Sequence, residues 1–508
     1  MAGAARSLQN CLPGRKVRGG FDSHAPPPRL KGKHKNMPEE TSSLLGKLPS
    51  ISKFLNSPEG TALCNAHGCE TVKFALRQDL ASLRKRIRAG EFDSAPGIPS
   101  IASSVEKRIL RTRNPEARHA INASGILLHT GLGRAPLCEK AVEAISAAAR
   151  HTPLQLDLEN GTRALREEKV EELLRELTGC EAATVLNNNA AATMLLLNSC
   201  CAGRETILSR GQLIEIGGEF RMPDVMARSG TLLREIGTTN KTHLRDYEKA
   251  VCEQTAAILH VHTSNYRIRG FSSTPDIAEL CKLKKTHPGL LVLDDLGSGA
   301  LLKLSRYGVP DEPLVADSLQ AGADLVCFSG DKLICGPQSG IICGRRELVE
   351  QIRKNPFARM FRVCKLTLAA MEATLSEFVA GSFEKTLPLY AELARRTEDL
   401  ECDVKKLSEA VGQLPGFSIS TREELCYMGS GSAPDEGIPG RALAISASPD
   451  NPNFKADDAA RAFRKEIPPV FCRIKDEALL FETRTLLPGD LERLSKVIRK
   501  VLAQGKSA

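Results

Sequence analysis

An α/β fold on a mainly parallel sheet is the architecture this sequence predicts, with a small helical domain before it and a small α+β domain after it. Three observations carry that reading. From about Ile121 short apolar runs each close on Gly, Ser, Asn or Asp and pass into a helix-like segment, the signature of alternating strands and helices. Upstream, Val72, Leu76, Leu80, Leu83 and Ile87 recur at three-and-four spacing, one face of a helix. A length of 508 residues exceeds what one core usually supports, so two or three domains are expected.

Taken in order, residues 1–46 read as a disordered basic tail. Eight Lys or Arg against Asp22 give residues 1–36 a balance of +7 in a Gly- and Pro-rich stretch without helical or strand period. Residues 47–118 read as an N-terminal helical domain. Eleven basic residues from Lys73 to Arg118 stand against five acidic ones, and the face of the Val72–Ile87 helix away from its apolar stripe is mostly basic. Such a face is either simply solvated or a nucleic-acid contact. The Pro and Ser cluster from Ala95 to Ser104 reads as a loop.

Residues 119–378 form the large domain. Strands are predicted at Ala182–Leu186, Thr206–Ser209, Ala257–His262, Leu290–Asp294, Leu325–Ser329 and Gly340–Cys343, with a helix over Leu165–Leu177 stopped by Gly179. Residues 379–508 form the small C-terminal domain, ending in a helix over Pro488–Leu502. The 16 cysteines show no CxxC spacing, so no metal site is expected. Free thiols in that number, without a signal-peptide segment or a membrane-length apolar run, fit a reducing cytoplasm.

In a parallel sheet, ligands lie where the strands end. The first such end is Asn187–Ala192, which runs into an apolar helix; free N–H groups and the helix dipole favour a phosphate there, and plain capping by asparagine is the alternative. The second is LVLDDLGSG, Leu291 to Gly299. Buried carboxylates need a partner, which a pyridinium nitrogen, a metal or an N–H donor would each supply. The third is FSGDKLICGPQSG, Phe328 to Gly340, which sets Lys332 behind a hydrophobic strand. A desolvated lysine suits Schiff-base chemistry, while a surface role is the alternative. Phosphate cradle, carboxylate and lysine in that order meet the needs of pyridoxal phosphate.

These segments, with INASGILLHTGLGRAPL, SRGQLIEIGGEFRMPDVM, GTTNKT, HTSNYRIRGF and FARMFRVCKLT, resemble bacterial selenocysteine synthase, the seryl-tRNA selenium transferase family. The resemblance spans roughly Leu48 to Leu502. It implies a fold-type I pyridoxal-phosphate enzyme, aspartate aminotransferase-like, that converts seryl-tRNA(Sec) to selenocysteinyl-tRNA(Sec) with selenophosphate by way of a dehydroalanyl-tRNA intermediate on the cofactor. It also implies a homo-oligomer, a homodecameric ring of dimers, with the tRNA held by the N-terminal domain.

Carried over residue by residue, Lys332 would hold the cofactor and Asp295 would face its ring nitrogen, with Asp294 the neighbouring alternative. Asn188, Asn189 and Ala190 would cradle its phosphate. Arg134, Arg359 and Arg362 would bind selenophosphate, and His262 or Asp331 would protonate the departing serine hydroxyl. Three departures stand out: Gly131 replaces the family's asparagine, GTRALR lacks a second glycine, and Arg269 is unfamiliar at its position. Two other functions compete, a lyase of the same fold acting on a small amino acid or amino sugar and a noncatalytic tRNA-binding protein.

Overall fold

The computed structural model describes residues 39–113, 119–218, 220–264, 266, 268, 270–429 and 437–504. The chain divides into two compact units, Met1–Arg113 and Asn114–Ala508.

The first unit is helical: α1 Glu39–Lys47, α2 Ile51–Leu55, α3 Pro58–His67, α4 Cys69–Arg88 and α5 Ile98–Arg113. Helix α1 begins inside the segment read as tail; residues 1–38 of that segment lie outside the described residues. Serines start the short helices. Ser50 accepts from Lys53 N, and Ser57 accepts from Gly60 N with Pro58 in the first turn, where its missing N–H costs nothing.

Helix α4 buries Val72, Leu76, Leu80, Leu83 and Ile87, the stripe predicted from spacing, and the first four pack with Ile101, Val105 and Ile109 of α5. Buried Asp79 takes Arg108 at 3.0 Å, so one member of the basic set serves as an internal tie. Arg77, Arg84, Lys85, Arg86 and Arg88 remain exposed. The loop expected over Ala95–Ser104 is largely absent, because α5 already starts at Ile98. Pro99 and the serines were read as breakers, yet proline is tolerated in a first turn, where no intrahelical N–H bond is lost.

In the second unit the strands are β1 Ile121–Ala123, β2 Ala182–Leu186, β3 Glu205–Ser209, β4 Glu215–Ile216, β5 Phe220–Arg221, β6 Leu232–Ile236 and β7 Thr255–Val261. They continue with β8 Leu291–Gly297, β9 Leu325–Ser329, β10 Gly340–Gly344, β11 Phe417–Tyr427, β12 Gly437–Ala447, β13 Val470–Lys475 and β14 Ala478–Glu482. Seven of them form the central sheet in the order β2-β10-β9-β8-β7-β3-β6. Only β10 runs antiparallel, to both its neighbours.

All six predicted strands lie in this sheet. The seventh, β6, was not predicted. Its sequence LLREI, mostly exposed at the sheet edge, lacks the apolar run of a central strand. On one face the apolar helix Asn189–Cys201 packs Leu195, Leu196 and Leu197 against Leu259, Val261 and Leu293. Ile207, Ile258 and Val292 point the other way. The predicted Leu165–Leu177 helix runs over Glu168–Thr178 and stops at Gly179, whose φ of 73° is the left-handed cap a Cβ would resist.

The smaller sheet has the order β1-β13-β14-β12-β11. Strand β1, within the span read as the large domain, pairs in parallel with β13 through Ile121 and Val470. This sheet is thus assembled from both ends of the unit.

Candidate active site at the strand ends

Side chains alternate along a strand, so Asp294 and Asp295 on β8 face opposite sides of the sheet. Asp294 takes the His260 ring, Nδ1 to Oδ1 at 2.7 Å, on the side away from the helix Asn189–Cys201. Asp295, 5% exposed, faces that helix. Its Oδ1 accepts from Asn189 Nδ2 at 2.9 Å and Gly297 N at 3.1 Å, and its Oδ2 accepts from Thr193 Oγ1 at 2.9 Å. Burial pushes its carboxyl up from the ordinary range, and these three donors pull against that rise. The two adjacent aspartates thus differ in their partners: Asp294 pairs with a histidine, and Asp295 is held by neutral donors.

Asn188 caps the helix, accepting from Ala191 N at 2.8 Å, as the capping alternative anticipated. Its cap leaves the N–H groups of Asn189 and Ala190, first-turn donors without an intrahelical acceptor. Gly340 lies against this turn: a Cβ there would sit 2.2 Å from Asn188 O and 2.7 Å from Asn189 N. The close approach of β10 to the helix start therefore requires glycine.

Lys332, between β9 and β10, is 7% exposed, and its carbonyl accepts from Cys335 N at 3.0 Å. Burial lowers the proton affinity of its amine. The charge of Arg134 adds to this, and Asp331, Asp295 and Glu312 oppose it. Arg134, at a left-handed φ of 66°, donates from Nη1 to Asp331 Oδ2 at 2.7 Å. The structure thus groups Lys332, Asp331, Asp295 and Arg134 electrostatically, with Asn188–Ala190 joined to them through Asn189.

Arg359 and Arg362 lie elsewhere along the same helix start. A backbone bridge joins Leu186 to Arg362, and Asn187 N donates to Phe361 O at 2.9 Å, which sets their segment beside the end of β2. Both arginines line a cavity of about 240 Å³ together with Arg166 and Arg353; Arg134 is not among its lining residues. Arg353 is neutralised by Glu167, Glu171 and Glu350. Arg359 and Arg362 have no carboxylate partner among the described residues. Arg166 donates to Val363 O at 3.0 Å, and burial, followed by the charge of Arg362, lowers its proton affinity. A cationic surplus in a cleft suits an anion.

His262 lines a different cavity, about 760 Å³, shared with His260 and Asp294. Its Nδ1 is 3.3 Å from Glu312 Oε2.

Thr193, Arg166 and Glu312 were missed in the sequence. Thr193 sits inside an apolar run, four residues past Asn189, and that spacing was the only available signal. Arg166 stood in the GTRALR departure. Gly131 has His129 Cε1 3.2 Å from where a Cβ would be, so a side chain there displaces the histidine. Arg269 lies outside the described residues. Among the described residues no group of three or more His, Cys, Asp and Glu could hold a metal ion, and no helix is long and apolar enough to cross a membrane.

Comparison with known proteins follows the same lines. A solved structure of D-glucosaminate-6-phosphate ammonia-lyase superposes with a TM-score of 0.54 at 17% identity, covering 76% of this chain and 96% of its own. That likeness speaks for the fold alone. An L-seryl-tRNA(Sec) selenium transferase of Hyphomonas neptunium is 41% identical over 464 residues, 90% of this chain and 99% of the relative. One of Moorella thermoacetica is 42% identical over 467 residues, 91% of this chain and 98% of the relative. The sequence profile of L-seryl-tRNA selenium transferase matches residues 120–487. With those matches extending over nearly the whole chain, this protein belongs to the L-seryl-tRNA selenium transferase family.

Proposed function

We propose that this chain converts seryl-tRNA(Sec) to selenocysteinyl-tRNA(Sec), with pyridoxal phosphate held by Lys332 and selenophosphate as the selenium donor. The observation that carries the reading is the convergence, at the strand ends of one sheet, of a buried lysine, a buried carboxylate and a helix N-terminus. A cavity with unneutralised arginines lies along β2, the strand that leads into that helix.

The residues fit the cofactor. Asp295 is a buried carboxylate without a cationic partner, Asn189 and Ala190 offer free N–H groups, and Gly340 leaves room at their side. When bound, pyridoxal phosphate supplies an electron sink for the seryl Cα. Lys332 Nζ, with its proton affinity lowered by burial, is the amine that holds the aldehyde and afterwards takes the Cα proton. Asp295 would accept the ring N–H, and the helix start at Asn189 and Ala190 would receive the phosphate.

Loss of the serine hydroxyl to give dehydroalanyl-tRNA requires an acid, because hydroxide leaves poorly. Asp331 and His262 are the two candidates. Oδ2 of Asp331 already accepts from Arg134, and His262 has Glu312 behind Nδ1. Comparing His262→Gln with Asp331→Asn in single-turnover dehydration separates them. Arg359 and Arg362 grip the selenophosphate with paired guanidinium donors; Arg134, expected to join them, lies outside their cavity and is paired with Asp331.

The N-terminal unit, with its exposed Arg77, Arg84, Lys85, Arg86 and Arg88, is the surface for the tRNA backbone. Leu156, Leu158 and Leu165 are exposed around residues 155–165, which supports association with further copies of the chain as a homo-oligomer. Free cysteines throughout the described chain suit a reducing cytoplasm.

Binding of the purified protein to selenocysteine tRNA against an ordinary serine tRNA, with the visible spectrum recorded alongside, tests the reading. Selective binding with a cofactor band is expected. A band without tRNA preference would point instead to a lyase acting on a small molecule, and tRNA binding without a band would point to a noncatalytic binder.

A further inference from the structure

The three donors on Asp295 are not equivalent. Asn189 Nδ2 and Gly297 N both donate to Oδ1, which fills the two acceptor positions of that oxygen. Oδ2 receives Thr193 Oγ1 at 2.9 Å, and the thiol of Cys327 also interacts with this carboxylate. Thr193 is fully buried, and its hydroxyl has a second acceptor within reach, the carbonyl of Asn189 at 3.0 Å.

One hydroxyl proton cannot serve both acceptors at once. With Asp295 ionised, the hydroxyl donates to Oδ2. With Asp295 protonated on Oδ2, the carboxyl O–H can donate to Oγ1 instead, and the hydroxyl turns to Asn189 O. Donation from the hydroxyl to Oδ2 favours the ionised carboxylate and opposes the rise that burial imposes on it, whereas in the protonated state that donation is lost. The other titratable groups around the pair are Asp294 behind Asp295, Lys332, and Cys327, whose Sγ is 3.7 Å from Thr193 Oγ1.

We propose that Thr193 is a positioning residue that fixes Oδ2 of Asp295 as the atom facing the cofactor ring nitrogen and keeps the proton between them on the nitrogen. The inference rests on the reading of Lys332 and Asp295 as the cofactor site. It adds a coupling: Asn189 and Thr193 belong to the helix whose first turn receives the phosphate, so phosphate anchoring and carboxylate orientation depend on one rigid element.

The test uses the full-length protein loaded with pyridoxal phosphate labelled with ¹⁵N in the ring. Thr193→Val keeps the shape and removes the hydroxyl, Thr193→Ser restores it, and Asn189→Ala removes a donor to the other oxygen while leaving the Asn188 cap. In the parent protein the ring nitrogen resonates as a protonated pyridinium. Thr193→Val should move that resonance toward the unprotonated position and weaken cofactor binding by about tenfold or more, the worth of one hydrogen bond to a charged group.

Thr193→Ser should return both to the parent values, and Asn189→Ala should loosen the cofactor with a smaller change in the resonance. A Thr193→Val protein with the parent resonance and affinity would overturn the inference. So would an Asn189→Ala protein shifted as far as Thr193→Val; if the valine variant does not fold, Thr193→Ala, which also lacks the hydroxyl, is read in its place, and a parental resonance and affinity there overturns the inference equally. A parent protein that shows no cofactor resonance at all would instead refute the cofactor site itself.

Discussion

Replacing Gly340 with alanine puts a methyl group where the backbone of the neighbouring helix start already lies. The added Cβ would stand 2.2 Å from Asn188 O, 2.4 Å from Asn188 C and 2.7 Å from Asn189 N. Gly340 has little room to retreat, since β10 is paired on both sides, Gly340 with Leu186 and with Ser329. Asn188 O must therefore move by at least 0.8 Å to reach even a 3.0 Å contact. That carbonyl accepts the first-turn N–H of Ala192 at 3.1 Å, so the displacement reaches the turn proposed to receive the phosphate.

Forcing one methyl into such a contact costs about 1–3 kcal/mol of stability. Misaligning one charge-assisted hydrogen bond to a phosphate costs a further ~1.5–3 kcal/mol of binding, or about 10- to 100-fold in cofactor affinity. Chemical denaturation and a cofactor titration followed at the visible band measure the two effects. Gly217→Ala is the control, a glycine with nothing within 4 Å of its added Cβ. A Gly340→Ala protein that binds cofactor with parental affinity would refute the placement of the phosphate at this turn.

Other substitutions separate the roles assigned above. Lys332→Ala should abolish both the visible cofactor band and turnover, while Arg359→Ala should retain the band and lose selenium transfer in a single-turnover assay. Arg353→Ala leaves Glu167 and Glu171 without their main partner and should destabilise the protein by about 3–5 kcal/mol in chemical denaturation. Burial raises the Glu392 carboxyl from 4.5 to about 8, so between those values the native state holds a proton that the unfolded chain releases. Stability from this group falls as pH rises through that window. Glu392→Gln should therefore gain melting temperature relative to the parent at pH 8 and little at pH 4. Deleting residues 47–115 should abolish tRNA binding in a filter assay, and binding by the intact protein should weaken steeply with salt.

Much of this arrangement was legible along the chain because its signals are local. The apolar runs of β2, β3, β7, β8, β9 and β10 announce themselves since both faces of a central strand are buried. The α4 stripe follows from a 3.6-residue period, and Gly179 stops its helix by a backbone conformation that other residues resist. Edge strand β6 and helix α5 were not legible for the converse reason. An exposed edge carries no apolar run, and Pro99 reads as a breaker until it is known to occupy a first turn.

What the sequence by itself determined was which residues sit at the strand ends: Lys332 after β9, the aspartate pair toward the end of β8, and the asparagines and alanine after β2. Those follow from the order of short-range motifs. Only the tertiary structure decided that Asp295 and not Asp294 meets the helix of Asn189 and Thr193, that Arg166 joins Arg359 and Arg362, and that β1 completes the sheet of β13. Each of these depends on contacts between segments far apart in the chain, where the packing of faces and the pairing of buried polar groups select the partner, and no local period encodes that choice.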